Sequence, residues 1–287
     1  MSKIDFRLSE ENHLSIRKAI PVLATIAFLF LFLTPSFFFS SISVASTPII
    51  RQSNGSALNS INWSGYAVNG TAGSITMATA SWIVPTVSCP ASGSTYAALW
   101  VGIDGFQSGT VEQTGTDSDC HNGVASYYAW YEFYPQPSKT IGSIAVHPGD
   151  VVAARVQYSP KAGKFTVAIK DYTSNQGFKA ASAVSGAQRS SAEFIVEAPE
   201  VCTLLKCSLT SLSNFGTAGF GLGNTGISLT CGLVMNGVKG SIGSFPSANV
   251  WPITMVSQSS SSVVKSQPSA LTSSGTSFTV TWENAGP

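Results

Sequence analysis

The sequence predicts an all-β protein with the many short strands of a β-sandwich or barrel. From Ile61 onward, short apolar runs alternate with breaks of Gly, Ser, Pro and Asn, which is typical of strands joined by turns. No segment keeps the 3.6-residue period of an amphipathic helix. Charged residues make up only 10% of the chain, against roughly 25% in an average soluble domain, which fits a sheet protein exported from the cell.

The expected strands follow one another at short spacing, and the chain shows no internal repeat. They are predicted at residues 74–84, 97–103, 126–134, 143–146, 150–158, 164–172, 192–196, 226–235 and 277–282. The last of these alternates polar and apolar residues, as a half-buried strand does. The Ser-rich stretch 257–276 is expected to be a loop.

The first 45 residues have the features of a targeting segment. Arg17 and Lys18 precede an apolar run at 19–39, and small residues at 43–45 resemble a cleavage site. Cleavage would give a secreted protein, and retention of the long apolar run would give a single-pass membrane anchor with the folded domain outside. The expected organisation is therefore a signal peptide or membrane anchor at 1–45, a polar linker at 46–60 and one domain at 61–287.

Charge and cysteine content limit the classes of partner. Beyond residue 45 the chain has 11 Lys and Arg against 11 Asp and Glu, so the balance does not suggest a nucleic-acid partner. A membrane is expected only through an uncleaved leader, and the protein is expected to be a monomer. An exported chain can oxidise its cysteines, which predicts a Cys202–Cys207 staple, a Cys89–Cys120 bridge and a leftover Cys231.

Histidine-based and metal-based hydrolysis are both disfavoured. Outside the leader the histidines are His121 and His147, each in a loop or turn, and no serine stands in a nucleophile-elbow pattern. Neither a His-Glu-x-x-His sequence nor cysteine pairs at zinc-finger spacing occur, so no metal site is expected.

Carboxylates lie among aromatic residues on the predicted strands. Alternation places Tyr128, Trp130, Glu132 and Tyr134 on one face of one strand. On another strand it places Glu193, Ile195 and Glu197 together. In a protein with so few charged residues, carboxylates on apolar strands are expected mainly where a functional site requires them. This pattern indicates a cleft that grips and hydrolyses a polymer.

Gln113 adds an uncharged amide to these acids. Its predicted strand turns it away from Glu112 and toward the face of Val111. An amide can donate two N–H groups to a carbonyl oxygen and so stabilise an oxyanion. A glutamate nearby can take the proton of an attacking water. Such a pair needs no histidine, and could therefore work in acid.

Six segments in order resemble the motifs of the glutamic peptidases, or eqolisins. They are Asn62-Trp-Ser-Gly65, Ser81-Trp-Ile-Val-Pro85, Trp100-Val-Gly-Ile-Asp-Gly105, Glu112-Gln-Thr-Gly-Thr-Asp117, Ala129-Trp-Tyr-Glu-Phe-Tyr-Pro135 and Ala192-Glu-Phe-Ile-Val-Glu197. The likeness covers about residues 61–200 well. It implies an antiparallel two-sheet β-sandwich, similar to the concanavalin and legume-lectin folds, with a concave face that binds substrate.

The resemblance also implies an activity and a set of site residues. It implies an acid endopeptidase that acts on proteins or peptides without metal or cofactor and is insensitive to pepstatin. The catalytic glutamine of that family falls on Gln113, and its catalytic glutamate falls on Glu197. The residues expected to bind substrate in the cleft are Trp63, Trp100, Asp104, Asp117, Trp130, Glu132 and Tyr134.

Two departures from the family pattern and two rival functions stay open. Only about 15 residues separate the cleavage site from Asn62, too few for the long pro-segment of fungal members, and Tyr128 stands where an acid is common. A retaining glycoside hydrolase would use Glu132 and Glu197 as acid and nucleophile. A non-catalytic, lectin-like binding module would keep the cleft without turnover.

Overall fold

The computed structural model describes residues 50–51, 58–202, 207–228 and 231–286. The predicted leader and most of the predicted linker lie outside these ranges, so both stay predictions. Within the described ranges, no helix has the length and apolar character needed to cross a membrane.

Strands dominate the regular structure of the described residues, together with one helical turn and two 3-10 turns. The elements are β1 (Ile50–Arg51), β2 (Leu58–Ser60), β3 (Trp63–Asn69), β4 (Ile75–Ile83), β5 (Ser94–Thr95), β6 (Ala98–Ile103), β7 (Val111–His121), β8 (Val124–Tyr134), β9 (Lys139–Thr140), β10 (Val151–Ser159), β11 (Lys164–Asp171), β12 (Gly177–Ser182), β13 (Ser191–Glu197), β14 (Glu200–Cys202), β15 (Cys207–Leu209), β16 (Thr217–Gly221), α1 (Leu222–Thr225), β17 (Gly232–Met235), β18 (Val238–Ser241), the 3-10 turns Ile242–Ser244 and Ser247–Asn249, β19 (Val250–Val256), β20 (Val264–Pro268) and β21 (Ser277–Trp282).

The strands form two layers. In the front sheet, hydrogen-bonded strands follow one another in the order β9-β8-β7-β6-β13-β3-β19, and β2 pairs with β19. The back sheet runs β12-β11-β10-β4, and the far edge of β4 pairs with β16 and β17. Strands β20 and β21 connect β19 to β16 and so join the layers at one side. Among the described strand pairs, β2–β19 is parallel and the others are antiparallel.

The two layers pack face to face, which confirms the predicted antiparallel β-sandwich. Strands β4, β10 and β11 of the back sheet lie against β6, β7 and β13 of the front sheet. On β6, Leu99, Val101 and Ile103 point between the layers and are fully buried. Ala98 and Trp100 point to the opposite side, which we call the front face. Alternation along one strand thus supplies both the core and a second surface.

A polar contact within the core ties the layers together. Trp82 on β4 is fully buried, and its Nε1–H donates to Thr116 Oγ1 on β7 at 2.9 Å. The hydroxyl satisfies the indole donor, which would otherwise be costly to bury. Phe220 and Phe278 stack beside this tryptophan with ring centroids 4.9 Å apart.

Three predicted elements are wrong in detail. Residues 143–146 end a turn and continue as irregular backbone instead of a strand, and Ile144 and Val146 nevertheless reach the core. In the described part of the segment 226–235, which leaves out residues 229 and 230, the strand is β17. The segment 257–276, expected to be a loop, contains β20, because pairing with β19 and β21 on both sides outweighs the weak strand propensity of its polar residues.

The predicted linker also contributes to the sheet where the structure describes it. Strand β1 pairs with β2, and β2 lies beside β19. Both short strands fall within residues 46–60. The sequence alone gave no sign of this, because their apolar content is too small for a periodic pattern.

Both predicted disulfides are present. Cys89 and Cys120 are bonded across a sequence separation of 31, and Cys202 and Cys207 across a separation of 5. Cys231 is the free cysteine of the described residues and is buried. The longer bridge ties the end of β7 to the segment after β4.

Candidate active site

The Gln113 side chain is held by Glu132. Strands β7 and β8 place the two residues directly opposite one another on the front face. Gln113 Nε2 donates to Glu132 Oε2 at 2.7 Å, and both side chains are fully buried. Among the described residues, Gln113 Oε1 has no hydrogen-bond partner. The described residues therefore leave the amide oxygen, and the N–H that Glu132 does not accept, without a protein partner.

The Glu197 carboxyl group is held at the end of β13, where the chain leaves the sheet at Ala198-Pro199. Asn62 Nδ2 donates to Glu197 Oε1 at 3.0 Å, and Trp100 Nε1 donates to Oε2 at 2.8 Å. Ser60 Oγ in turn donates to Asn62 Oδ1 at 3.0 Å, which orients the amide. Each carboxylate oxygen thus has a neutral donor with a fixed direction.

Trp100 lies between the glutamine and the glutamate. On β6, Gly102 is opposite Gln113 and Ala98 is opposite Glu197, so Trp100 occupies the position midway between them. A Cβ atom built on Gly102 would lie 2.9 Å from Trp100 Cζ3, and Nε1 at the other side of the ring reaches Glu197. The Trp100 indole therefore lies on the front face between the Gln113 amide and the Glu197 carboxyl group.

Neighbouring residues leave room for that indole. Gly115 is opposite Trp100, and a Cβ atom there would lie 2.7 Å from Trp100 Cβ and 2.2 Å from the Leu99 carbonyl oxygen. Trp63 packs edge-on against Trp100, with ring centroids 5.1 Å apart and planes at 78°. The Trp100 indole is therefore held rigidly on the front face, because neighbouring residues occupy the space on both sides of its ring.

Burial raises the pKa of the Glu197 carboxyl group well above its ordinary value of 4.5. The indoles of Trp63 and Trp100 lower this pKa, and the charges of Glu132 and Asp117 raise it. Of these two indoles, Trp100 donates a hydrogen bond of good geometry, whereas Trp63 Nε1 has no acceptor among the described residues. A carboxyl group whose pKa is raised in this way is a stronger base when it is ionised.

A second acidic group lies along β7 beyond the glutamine. Tyr128 is opposite Asp117, and its hydroxyl donates to Asp119 Oδ2 at 3.0 Å. Burial raises the pKa of Asp117 to about 7, and the Tyr128 hydroxyl opposes the rise. Tyr128 thus occupies, with a neutral donor, the place where the family resemblance expects an acid.

Asp104 is predicted in the cleft, but its hydrogen bonds serve a loop. It follows β6 with a left-handed backbone (φ 70°). Its Oδ2 accepts the backbone N–H groups of Gln188 and Arg189 at 2.8 and 2.7 Å, and its Oδ1 accepts that of Ser190 at 2.9 Å. The carboxylate therefore anchors the segment before β13, and so the position of that strand.

The remaining predicted cleft residues share the front face. Trp130 is opposite Gly115, on the side away from Trp100, and it is buried. Tyr134 is half-buried and packs against the same apolar cluster, which also contains Phe106 and Trp63. The sheet therefore brings Trp63, Trp100, Trp130, Glu132 and Tyr134 onto the surface that holds Gln113 and Glu197. Their binding of substrate stays a prediction.

Two residues of this surface were not among the predicted site residues, although alternation had placed Glu193 on the face of Glu197. Asn62 holds Glu197, and its position in the Asn-Trp-Ser-Gly segment could have singled it out. Glu193 is fully buried on the same face as Glu197, opposite Gly102, and burial raises its pKa well above the ordinary value. Within the described ranges, no three His, Cys, Asp or Glu side chains are grouped so as to hold a metal ion.

Solved structures share this architecture. The scytalido-glutamic peptidase bound to a transition state analog inhibitor is similar with a TM-score of 0.63 and 23% identity, covering 77% of this chain and 98% of that one. The aspergilloglutamic peptidase from Aspergillus niger has a TM-score of 0.51 and 25% identity, covering 66% of this chain and 99% of that one. The fold is therefore that of the glutamic peptidases.

Sequence comparison identifies the family. The Peptidase A4 family model matches residues 61–282, and the chain belongs to that family. It is 34% identical over 128 residues to aspergillopepsin-2 of Aspergillus niger, covering 38% of this chain and 45% of that protein. It is also 34% identical over 164 residues to scytalidopepsin B of Scytalidium lignicola, covering 55% and 60%. The chain thus spans about half the length of these curated relatives. The resemblance drawn from the six motifs is confirmed.

Proposed function

We propose that this chain is an acid endopeptidase that hydrolyses peptide bonds of proteins with Glu197 as general base and Gln113 as oxyanion donor. The observation that carries the proposal is the arrangement on the front face. Glu132 orients the Gln113 amide, Asn62 and Trp100 orient the Glu197 carboxylate, and the indole of Trp100 lies between them. Both functional groups are thus fixed before a substrate arrives, which is what transition-state stabilisation requires.

The reaction follows from these positions. Ionised Glu197 takes a proton from a water molecule, whose oxygen attacks the scissile carbonyl carbon. The carbonyl oxygen becomes an oxyanion, and the free Nε2–H of Gln113 donates to it. Protonated Glu197 then passes its proton to the amide nitrogen, the C–N bond breaks, and a carboxylic acid and an amine leave. Glu197 ends the cycle ionised. No metal ion or cofactor takes part in this scheme.

Other parts of the proposal rest on the leader and on family membership. The chain is exported, and its partners are protein or peptide substrates that lie along the front face. Trp63, Trp130 and Tyr134 supply apolar contacts there, and the chain acts as a monomer. Membership of a peptidase family favours this function over the glycoside hydrolase and the lectin-like module.

The test is hydrolysis of an unfolded protein by the full chain between pH 2 and 7, with pepstatin and a chelator present. Glu197→Gln and Gln113→Ala are expected to lower kcat by at least about 100-fold. Glu283→Gln and Gln157→Ala, which change the same residue types at exposed positions, are the matched controls and should keep full activity.

Three results would contradict the proposal. Inhibition by the chelator would contradict the metal-free scheme. Full activity of Gln113→Ala on a polysaccharide, without proteolysis by the wild type, would favour the glycoside hydrolase. Peptide binding without turnover by a folded wild type would favour the binding module.

A further inference from the structure

The near-zero charge balance of the sequence conceals a strongly basic surface. Nine of the eleven Asp and Glu residues of the described chain are buried, and Glu200 and Glu283 are the exceptions. The described basic side chains show the reverse pattern, since Lys265 is buried, Arg189 is half-buried, and the others are exposed. The exposed ones are Lys139, Arg155, Lys161, Lys164, Lys170, Lys179 and Lys239. Folding therefore hides the acids and displays the bases.

Four of these cations border one groove on the outer face of the back sheet. Register places Arg155 on β10 beside Ala168 on β11, and Ala168 beside Lys179 on β12. Lys170 lies two residues further along β11, and Lys239 on β18 closes the groove. The groove has a volume of about 700 Å³, and its floor includes small residues such as Ala153 and Gly177. The strand spacing puts the Arg155 and Lys179 backbones about 10 Å apart.

These cations are not neutralised by the protein. No carboxylate lines the groove in the described residues, and none of the four bordering cations has an ion-pair partner there. The nearby Asp171 is buried and accepts the backbone N–H groups of Thr173 and Ser174, so it does not face the groove. Like charges this close repel one another, and a bound anion would relieve that repulsion.

We infer that this groove is a second binding site, distinct from the front face, which takes a sulfated polysaccharide. Four cations around a groove match a linear polymer of repeated negative charge, because basic clusters of this kind bind heparin-like chains. Tyr172 borders the groove with 43% of its surface exposed, and it offers a ring face against which a sugar can pack. Sulfate esters are strong acids and stay charged in the acidic range where the proposed peptidase works.

Single-stranded nucleic acid and membranes fit this groove less well. Nucleic-acid grooves stack successive bases on several aromatic rings. Here, of the exposed large hydrophobic residues in the described chain, only Tyr172 borders the groove, and a single ring cannot stack successive bases. A lipid surface is planar, whereas these cations line a recess. The four cations, which match repeated negative charge, and the Tyr172 ring, which can pack against a sugar, together favour the sulfated polysaccharide.

Titration of the full chain with a heparin-derived octasaccharide tests the site. The wild type is expected to bind at pH 4 and pH 7, with affinity that falls steeply as salt rises, because bound counterions are released. The triple variant Lys170→Gln, Lys179→Gln, Lys239→Gln should bind at least about 10-fold more weakly at 0.1 M salt and show a shallower salt dependence. The matched control Lys139→Gln, Lys161→Gln, Lys164→Gln loses the same charge elsewhere and should bind within about twofold of the wild type.

The binding results separate this site from general surface charge and from the active site. Equal losses in the two triple variants, or no binding by the wild type, would overturn the inference. Tighter binding of oligo-dT or of anionic vesicles than of the octasaccharide would overturn the choice of ligand. Proteolysis of a short neutral peptide should be unchanged in both triple variants, so failure of the proposed peptidase activity leaves the binding test intact.

Discussion

The Gln113 amide and the Glu132 carboxylate form a hydrogen bond of 2.7 Å across the β7–β8 pair, buried from solvent. This bond decides which end of the amide faces the substrate. We expect Glu132→Leu to lower kcat by about 10- to 100-fold with little change in KM, because the amide is then free to turn its oxygen toward the oxyanion. Steady-state kinetics on a peptide substrate measure both constants.

Glu132→Gln is the control for that experiment, because it removes the charge and keeps an acceptor oxygen. It should recover most of the activity lost in Glu132→Leu. Equal losses in both variants would show that the negative charge of Glu132, and not its hold on Gln113, is what the reaction needs.

The pH profile of kcat/KM should report the Glu197 carboxyl group. Since burial raises its pKa, the acidic limb is expected above pH 4.5. Trp100→Phe removes an N–H that lowers this pKa, so the limb should move to higher pH. Glu132→Gln removes a charge that raises it, so the limb should move to lower pH. Shifts of the same sign in both variants would contradict the assignment of this limb to Glu197.

The stability of the fold should be greatest in acid. Burial raises the pKa of Glu112 from 4.5 to about 9, the charge of Asp104 adds to the rise, and Thr110 opposes it. The folded state keeps a proton that the unfolded chain loses above pH 4.5. The free energy of unfolding should therefore be highest below pH 4.5 and fall by about 1.4 kcal/mol per pH unit toward pH 9 for this one carboxyl group.

Urea unfolding at pH 4, 6 and 8 measures this slope. Glu112→Gln has no proton to lose, so its free energy of unfolding should fall less with pH than that of the wild type. Glu283→Gln, at an exposed position, should leave the slope unchanged. An unchanged slope in Glu112→Gln would show that this carboxyl group is ionised in the folded state.

Folding should also change the isoelectric point. The sequence gives a value of 7.6 when every carboxyl group titrates normally. Burial raises the pKa of Glu112 to about 9 and lowers that of Lys265 to about 8. Near pH 7.6 the Glu112 carboxyl group is then protonated and Lys265 keeps most of its charge, so native isoelectric focusing should give a value above 7.6 and above that measured in urea. Equal values in the two conditions would contradict a buried, protonated Glu112.

The two disulfides should contribute unequally to stability. The Cys89–Cys120 bridge closes a loop with a sequence separation of 31, for which chain entropy predicts about 3–4 kcal/mol. The Cys202–Cys207 bridge has a separation of 5, for which about 2 kcal/mol is expected. Double Cys→Ala variants of each bridge, compared by chemical unfolding, test this order. A larger loss from the shorter bridge would reverse it.

Short apolar runs and period-two alternation predicted much of the fold, and strand β20 shows where such patterns fail. The apolar run of β6 and the alternating residues of β21 were predicted at nearly their observed bounds. Strand β20 was missed because its Lys265 and Ser266 are polar, although both are buried between two partner strands. Such a strand is specified by its neighbours in the sheet, which local sequence does not reveal.

The candidate site was predictable where side-chain alternation decides the face. Gln113, Glu132 and Glu197 lie on one surface because each has the correct parity along its strand. The loop-anchoring hydrogen bonds of Asp104 were not predictable, since they depend on where residues 188–190 return to the sheet. The net charge of the sequence did not predict the basic groove. A charge balance of zero does not say whether the acidic or the basic side chains are buried.

Gly115 shows how a residue without functional groups can be as constrained as a catalytic one. The volume that a side chain would occupy there is taken by Trp100 and by the backbone of Leu99. In a saturation library selected for proteolysis, position 115 should therefore accept glycine alone, although Gly115 has no side chain that could take part in the reaction. On the front face, the positions that tolerate no substitution would then include those around the Trp100 indole as well as Gln113 and Glu197.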